Sequence, residues 1–168
     1  MNIRLENQTD YQAIAQIHEL AFGQKNEAYL VEKISVSPYY IPELSLIVEF
    51  DNSVIAHLML SYIHLVNQET FQVIGLAPIA VHPNFQNKGI GSNLVNNAIN
   101  KANGLGEALV IVLGHPQFYS RFGFKPSTNF DIKSPFSVPE ENFMAKPLTN
   151  YLSKYKGEVV YPEAFQSV

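Results

Sequence analysis

Polar and apolar residues alternate along Asn2-Ile3-Arg4-Leu5-Glu6 with the two-residue period of a short strand. The period then lengthens. Ile14, Ile17, Leu20 and Ala21 fall on one helical face, between a cap at Thr9 or Asp10 and a stop at Gly23. A second helix is expected around Glu27 to Ile34, with Leu30, Val31 and Ile34 as its stripe, before a loop marked by Pro38 and Pro42. Three β-like runs follow, Leu44 to Phe50, Val54 to Val66 and Phe71 to Val81, and the turn formers between them predict an antiparallel meander. Leu94, Val95, Ala98, Ile99 and Ala102 restore helical spacing until Asn103-Gly104-Leu105-Gly106 ends it. Ala108 to Leu113 is wholly apolar, as a strand buried on both faces should be.

A strand, a helix and another strand in that order form a crossover, so Phe71–Val81 and Ala108–Leu113 are expected to lie parallel. Pro116 suits the first turn of a short helix ending near Phe122, and Gly123-Phe124 restarts extended chain. The region from Lys125 to Pro139 is rich in turn formers. Phe143 to Pro147 and Glu158 to Val160 read as late strands, and Tyr161 to Val168 as a tail. No repeat or linker interrupts the chain, and its 168 residues suffice for one domain, 1–168, with a real hydrophobic core. The expected class is α+β, a mixed and mostly antiparallel twisted sheet with a central parallel pair, flanked by helices.

Composition then narrows the chemistry. With no cysteine, the chain has no disulfide, no thiolate zinc site and no cysteine nucleophile. A formal net charge of -4 lacks the basic balance usual in proteins that grip nucleic acid. Arg4, Glu6 and Asp10 stand where a secretory signal would be apolar, and no apolar run approaches a membrane span. These features lead us to expect a cytoplasmic protein with no membrane or nucleic-acid partner. His18, His57 and His64 share no ligand spacing, so no metal site is expected.

The densest chemical signal is Gln86-Asn87-Lys88-Gly89-Ile90-Gly91, a glycine loop between a strand and a helix. Backbone N–H groups in such a turn, backed by a helix dipole, can wrap a phosphate group without a cationic side chain. The loop lacks the Gly-Lys-Ser/Thr ending of a P-loop and the third glycine of a dinucleotide fingerprint, and glycine used only for helix entry is its plain alternative. Pro78 adds to the signal: proline cannot donate within a central ladder, so a bulge or splay is implied there. Main-chain groups freed at a splay suit an extended, amide-bearing ligand such as a pantetheine arm.

Three stretches, Ala77-Pro78-Ile79-Ala80-Val81-His82-Pro83, Gln86 to Gly91, and Phe118-Tyr119-Ser120-Arg121-Phe122-Gly123-Phe124, resemble the GNAT family of N-acetyltransferases. The resemblance runs from residue 2 to about 125 and departs from the family at Gln86, where arginine is commoner. It implies a GNAT-like fold whose parallel pair splays at a bulge, with acetyl-CoA in the V-shaped opening. Ile79, Ala80 and Val81 would meet the pantetheine through their backbone, and Gln86, Asn87, Lys88, Gly89, Ile90, Gly91 and Ser92 would surround the pyrophosphate. Direct transfer to an amine acceptor would then use the Ile79 N–H as an oxyanion donor. Tyr119, four residues before Gly123, would be the general acid.

Each role has a structural counterpart. Tyr119 among Phe118, Phe122 and Phe124 is also ordinary aromatic wall packing. Glu27 is a candidate base, but a carboxylate in a first helical turn is equally what the macrodipole favours. His115 at the cleft mouth could relay a proton or only position its loop, and His82 reads as a surface or capping residue. Tyr39 and Tyr40 lie in the proline-bounded loop that the resemblance would place over an acceptor, and an ordinary surface loop explains them equally well. A non-catalytic CoA-binding module is the alternative function, and a homodimer is compatible with exposed late strands.

Overall fold

A computed structural model describes residues 1–165. Its strands are β1 (Asn2–Leu5), β2 (Tyr40–Phe50), β3 (Ser53–Val66), β4 (Thr70–Val81), β5 (Leu109–Leu113), β6 (Lys125–Pro126), β7 (Ile132–Lys133), β8 (Phe143–Pro147) and β9 (Gly157–Val160). They form one sheet in the order β1-β2-β3-β4-β5-β8-β6, with β9 paired to β3 and β7 to β9. The β4–β5 pair is parallel between antiparallel partners β3 and β8, as the crossover requires, and the short β7–β9 pair is parallel as well.

The meander follows from local chemistry. Asp51 and Asn52 both adopt left-handed backbone (φ 52 and 61), the turn geometry that matches the twist of the two strands it joins. β2 starts at Tyr40, four residues earlier than the sequence pattern predicts. Between Tyr40 and Ser45 it has four residues where β3, between Ser61 and Met59, has only Leu60, so Pro42 falls in a stretch that owes no ladder bond. The turn-rich region contains β6 and β7, each two residues long and too short to leave a period in sequence. β9 extends the edge of β3 where β2 has run out, pairing with His64, Leu65 and Val66.

Helices α1 (Tyr11–Phe22) and α2 (Asn26–Ser35) cover one face, with Ile14, Leu30, Val31 and Ile34 packed against Ile47 and Met59. The neighbouring residues Leu46, Leu58 and Leu60 point the other way, under Leu94, Val95, Ala98 and Ala102 of α3 (Ile90–Gly104). Each buried leucine or isoleucine contributes about 1.5–3 kcal/mol, so both layers are firmly seated. Among the described residues no helix is long and apolar enough to cross a membrane.

Candidate functional site

β4 and β5 share register only at Ile74 with Val110 and Gly75 with Ile111. Beyond that point β5 stays with β8, while β4 stays with β3 through Ile79, Ala80 and Val81. A V-shaped gap opens between the two tips. It begins at Pro78: β4 inserts Ala77 and Pro78 between the partners of Leu60 and Leu58, where β3 has Met59 alone, and the Ala77–Pro78 peptide is cis. His82 N–H donates to Ile55 O on β3 at 2.8 Å. Main-chain groups alternate along a strand, so Ala80 also turns its own toward β3, whereas Ile79 and Val81 present theirs to the gap. From the gap side Gln86 Nε2 donates to Val81 O at 3.0 Å, bracing the loop on the strand end.

The loop then alternates in hand. Asn87 (φ 63) and Gly89 (φ 82) are left-handed, and α3 starts directly after. Such alternation turns successive N–H groups toward one concavity. Among the described residues, no N–H from Asn87 to Ser92 has a backbone acceptor; Asn93 is the first to close the helix, onto Gly89 O at 3.1 Å. Lys88 does not line the resulting cleft, and its Nζ lies 5.7 Å from the centre of the Phe85 ring.

Opposite the loop stands α4 (Pro116–Tyr119), which tightens into a 3-10 turn over Ser120–Phe122. The Tyr119 ring is buried edge-on to Phe118 and Phe124, with centroids 4.9 and 5.6 Å away. It lies on Gly114, where an added Cβ would come within 2.4 Å of Cε2, so the ring occupies that position only because residue 114 has no side chain. Its hydroxyl makes no hydrogen bond among the described residues, and burial pushes its pKa up to about 12. At neutral pH it is a protonated donor facing a cleft of about 660 Å³.

Ile79, Ala80, Val81, Gln86, Asn87, Gly89, Ile90, Gly91, Ser92 and Tyr119 therefore converge on one cleft, joined by His115 and by Ala21 and Phe22 from the end of α1. Glu27 is not brought there. It sits half-buried in the first turn of α2 and accepts both of its hydrogen bonds from Gln24 Nε2, at 3.0 and 3.2 Å. His82 caps the 3-10 turn at Pro83–Phe85, its Nδ1 accepting from Asn84 N–H. Tyr39 packs edge-on to His64, and the Tyr40 hydroxyl donates to Glu6. Arg121 also lines the cleft and was not assigned from sequence, because nothing local indicates that its side chain reaches across to α3.

His18 and His57, with no sequence spacing to link them, meet at 2.8 Å between Nε2 and Nδ1. His57 Nε2 continues to Ser45 Oγ at 2.9 Å and lies 3.9 Å from Glu6, whose side chain is 1% exposed. Burial would raise the Glu6 carboxyl, but the polar groups around it, nearby His57 and Ser45 and the Tyr40 hydroxyl that donates to it, outweigh burial and hold the group below its ordinary value. Burial, aided by His57, pushes His18 down to about 3. No group of three or more metal-ligating side chains occurs among the described residues.

An open strand edge, a concavity of unpaired N–H groups and a buried phenol thus meet at one cleft of a mixed α+β fold. The chain belongs to the GNAT acetyltransferase family: the family's acetyltransferase (GNAT) domain model matches residues 2–127. It is an acyltransferase of the N-acetyltransferase type. It is similar to the uncharacterised N-acetyltransferase YhbS of Escherichia coli K12, at 30% identity over 167 residues, covering 98% of each chain. YjhQ of the same organism, also an uncharacterised N-acetyltransferase, is 29% identical over 140 residues, covering 82% of this chain and 77% of YjhQ. The solved structure of E. coli YhbS in complex with CoA superposes with a TM-score of 0.89 at 29% identity, over 98% of this chain and 91% of that one. A GNAT acetyltransferase from Brucella melitensis in complex with acetyl-CoA gives 0.80 at 27% identity, over 98% and 97%.

Proposed function

We propose that this protein transfers an acetyl group directly from acetyl-CoA to a primary amine of a small molecule or peptide, both bound at once. The observation that carries this reading is the open edge of β4, with the Ile79 main chain and the Val81 N–H unpaired, running straight into the unpaired N–H groups of 87–92. That edge fits the amides of a pantetheine arm as a substitute strand, and the concavity fits its pyrophosphate. The complexes of YhbS with CoA and of the Brucella protein with acetyl-CoA support the same occupant.

In this mechanism the Ile79 N–H donates to the thioester carbonyl oxygen as charge develops on it. The amine nitrogen bonds to the carbonyl carbon, the carbon–sulfur bond breaks, and Tyr119 gives its hydroxyl proton to the departing sulfur. The tyrosinate is then reprotonated from solvent. His115, exposed at the cleft, takes the proton that the amine releases. One feature favours the alternative of a CoA-binding module: no carboxylate is among the described residues that line the cleft. Calorimetry with acetyl-CoA, CoA and ATP, followed by thiol release over a panel of amines, separates the readings. Tight binding of both CoA forms with amine-dependent thiol release is expected. Binding of CoA with no amine raising release above hydrolysis leaves the module, and preference for ATP refutes both.

A further inference from the structure

A diphosphate on the 87–92 loop would carry its charge into a site whose loop supplies no cationic side chain. Gln86 is neutral and is occupied by Val81 O, and Lys88 sits beside Phe85 and does not line the cleft. Among the described residues that line the cleft, Arg121 alone holds a fixed positive charge. It comes from the opposite wall. Its guanidinium lies 4.9 and 5.6 Å from the ring centres of Phe118 and Phe122, which hold the plane in place. Nη2 reaches Ser92 Oγ, in the first turn of α3, at 3.3 Å, and Nε reaches Phe118 O at 3.3 Å. Both contacts are at the long end of the hydrogen-bond range. Arg121 is exposed and pairs with no carboxylate among the described residues, so most of its five N–H donors are uncommitted.

We propose that Arg121 is the charged half of the diphosphate site, closing over the pyrophosphate from the 3-10 turn after α4 while the backbone of 87–92 holds it from below. The inference rests on the acyl-CoA reading and adds a residue to it. A planar fork suits two phosphate oxygens at once, which a neutral Gln86 cannot replace. Because Arg121 lies two residues after Tyr119 in the same short segment, one contact fixes both the diphosphate and the segment bearing the acid.

The test is calorimetry of wild type, Arg121→Gln and Arg121→Lys with coenzyme A, dephospho-coenzyme A and, by competition, pantetheine. Arg121→Gln should weaken both nucleotide forms by the same factor, roughly 10- to 100-fold, and leave pantetheine within about twofold, while Arg121→Lys falls between. The salt dependence of binding should flatten in Arg121→Gln. Equal affinity of wild type and Arg121→Gln for CoA overturns the clamp, and a loss that disappears with dephospho-coenzyme A overturns it by moving the contact to the ribose phosphate. An equal loss with pantetheine overturns it in favour of a packing role. If wild type binds none of the three ligands, the acyl-CoA reading falls as well, so the two failures are distinct.

Discussion

The β3–β4 ribbon carries two polar regions within one residue of each other, and they treat their hydrogen-bonding groups in opposite ways. On the face under α1, His57 stands opposite Ala80, and its two ring nitrogens are both engaged, by His18 and Ser45. At the free edge, Ile79 and Val81 turn main-chain groups into the gap, and the Tyr119 hydroxyl is left without a partner among the described residues. The chain Glu6–Ser45–His57–His18 is sealed from solvent, whereas the edge is open to it. Two of its atoms, His18 Nδ1 and Glu6 Oε2, are also unpartnered but enclosed. Polar groups are therefore available to a ligand only where they meet open space; where they are enclosed they fix α1 on the sheet.

The largest effect should come from the open side. Tyr119→Phe keeps the ring on Gly114 and removes only the donor. Turnover is expected to fall about 10²–10⁴-fold, with CoA affinity within about twofold and melting temperature within about 2 °C. A rate loss that merely tracks a lower melting temperature would make Tyr119 a packing residue, and the contrast with the buried chain would fail.

On the enclosed side the outcome reverses. His57→Ala deprives His18, Ser45 and Glu6 of a shared partner in the interior, which should cost about 3–5 kcal/mol of stability. Chemical denaturation measures that loss, and CoA affinity per folded molecule should be unchanged. A variant that unfolds normally but loses CoA binding would join the two regions into one site.

Acid should reveal the buried side alone. The folded pKa of His18 is lowered from 6.5 to about 3, so in that window the unfolded chain takes up a proton that the folded chain refuses. Its contribution to stability is constant above pH 6.5 and falls as pH drops below it, by about 1.4 kcal/mol per unit. Glu6 and Asp10, both held below their ordinary values, add losses as pH falls through the carboxylate range. Denaturation midpoints from pH 8 to pH 4 should therefore decline from near pH 6.5 downward, and in His18→Asn the decline should begin only near the carboxylate range.

The open cleft was partly legible in sequence through local backbone rules: Pro78 cannot donate to a ladder and Gly89 tolerates a left-handed φ, whereas Tyr119 was indicated only by the family resemblance. The enclosed region was not legible, because His18 and His57 are joined only by the docking of α1 onto β3. Gly114 and Arg121 were missed for the same tertiary reason. One makes room for a ring five residues on, and the other reaches a helix 29 residues back. The two-residue strands lie in turn-rich chain and take their state from β8 and β9 rather than from any period of their own.

The smallest effect is expected at Glu27, which tests whether the cleft extends toward α2. Its carboxylate lies in the first turn of that helix, where a negative charge contributes about 0.3–1 kcal/mol, and Gln24 already donates to both of its oxygens. Glu27→Gln removes the charge while keeping size and shape. A helix-terminal role predicts a melting temperature lower by about 1–3 °C and an amine-transfer rate within about twofold. A general base predicts the opposite pair, an unchanged melting temperature and a rate lower by about 10²–10⁴. Measured together on one amine acceptor, the two quantities decide the role of Glu27, and a large rate loss would mean that a bound acceptor bridges the open edge of β4 to the start of α2.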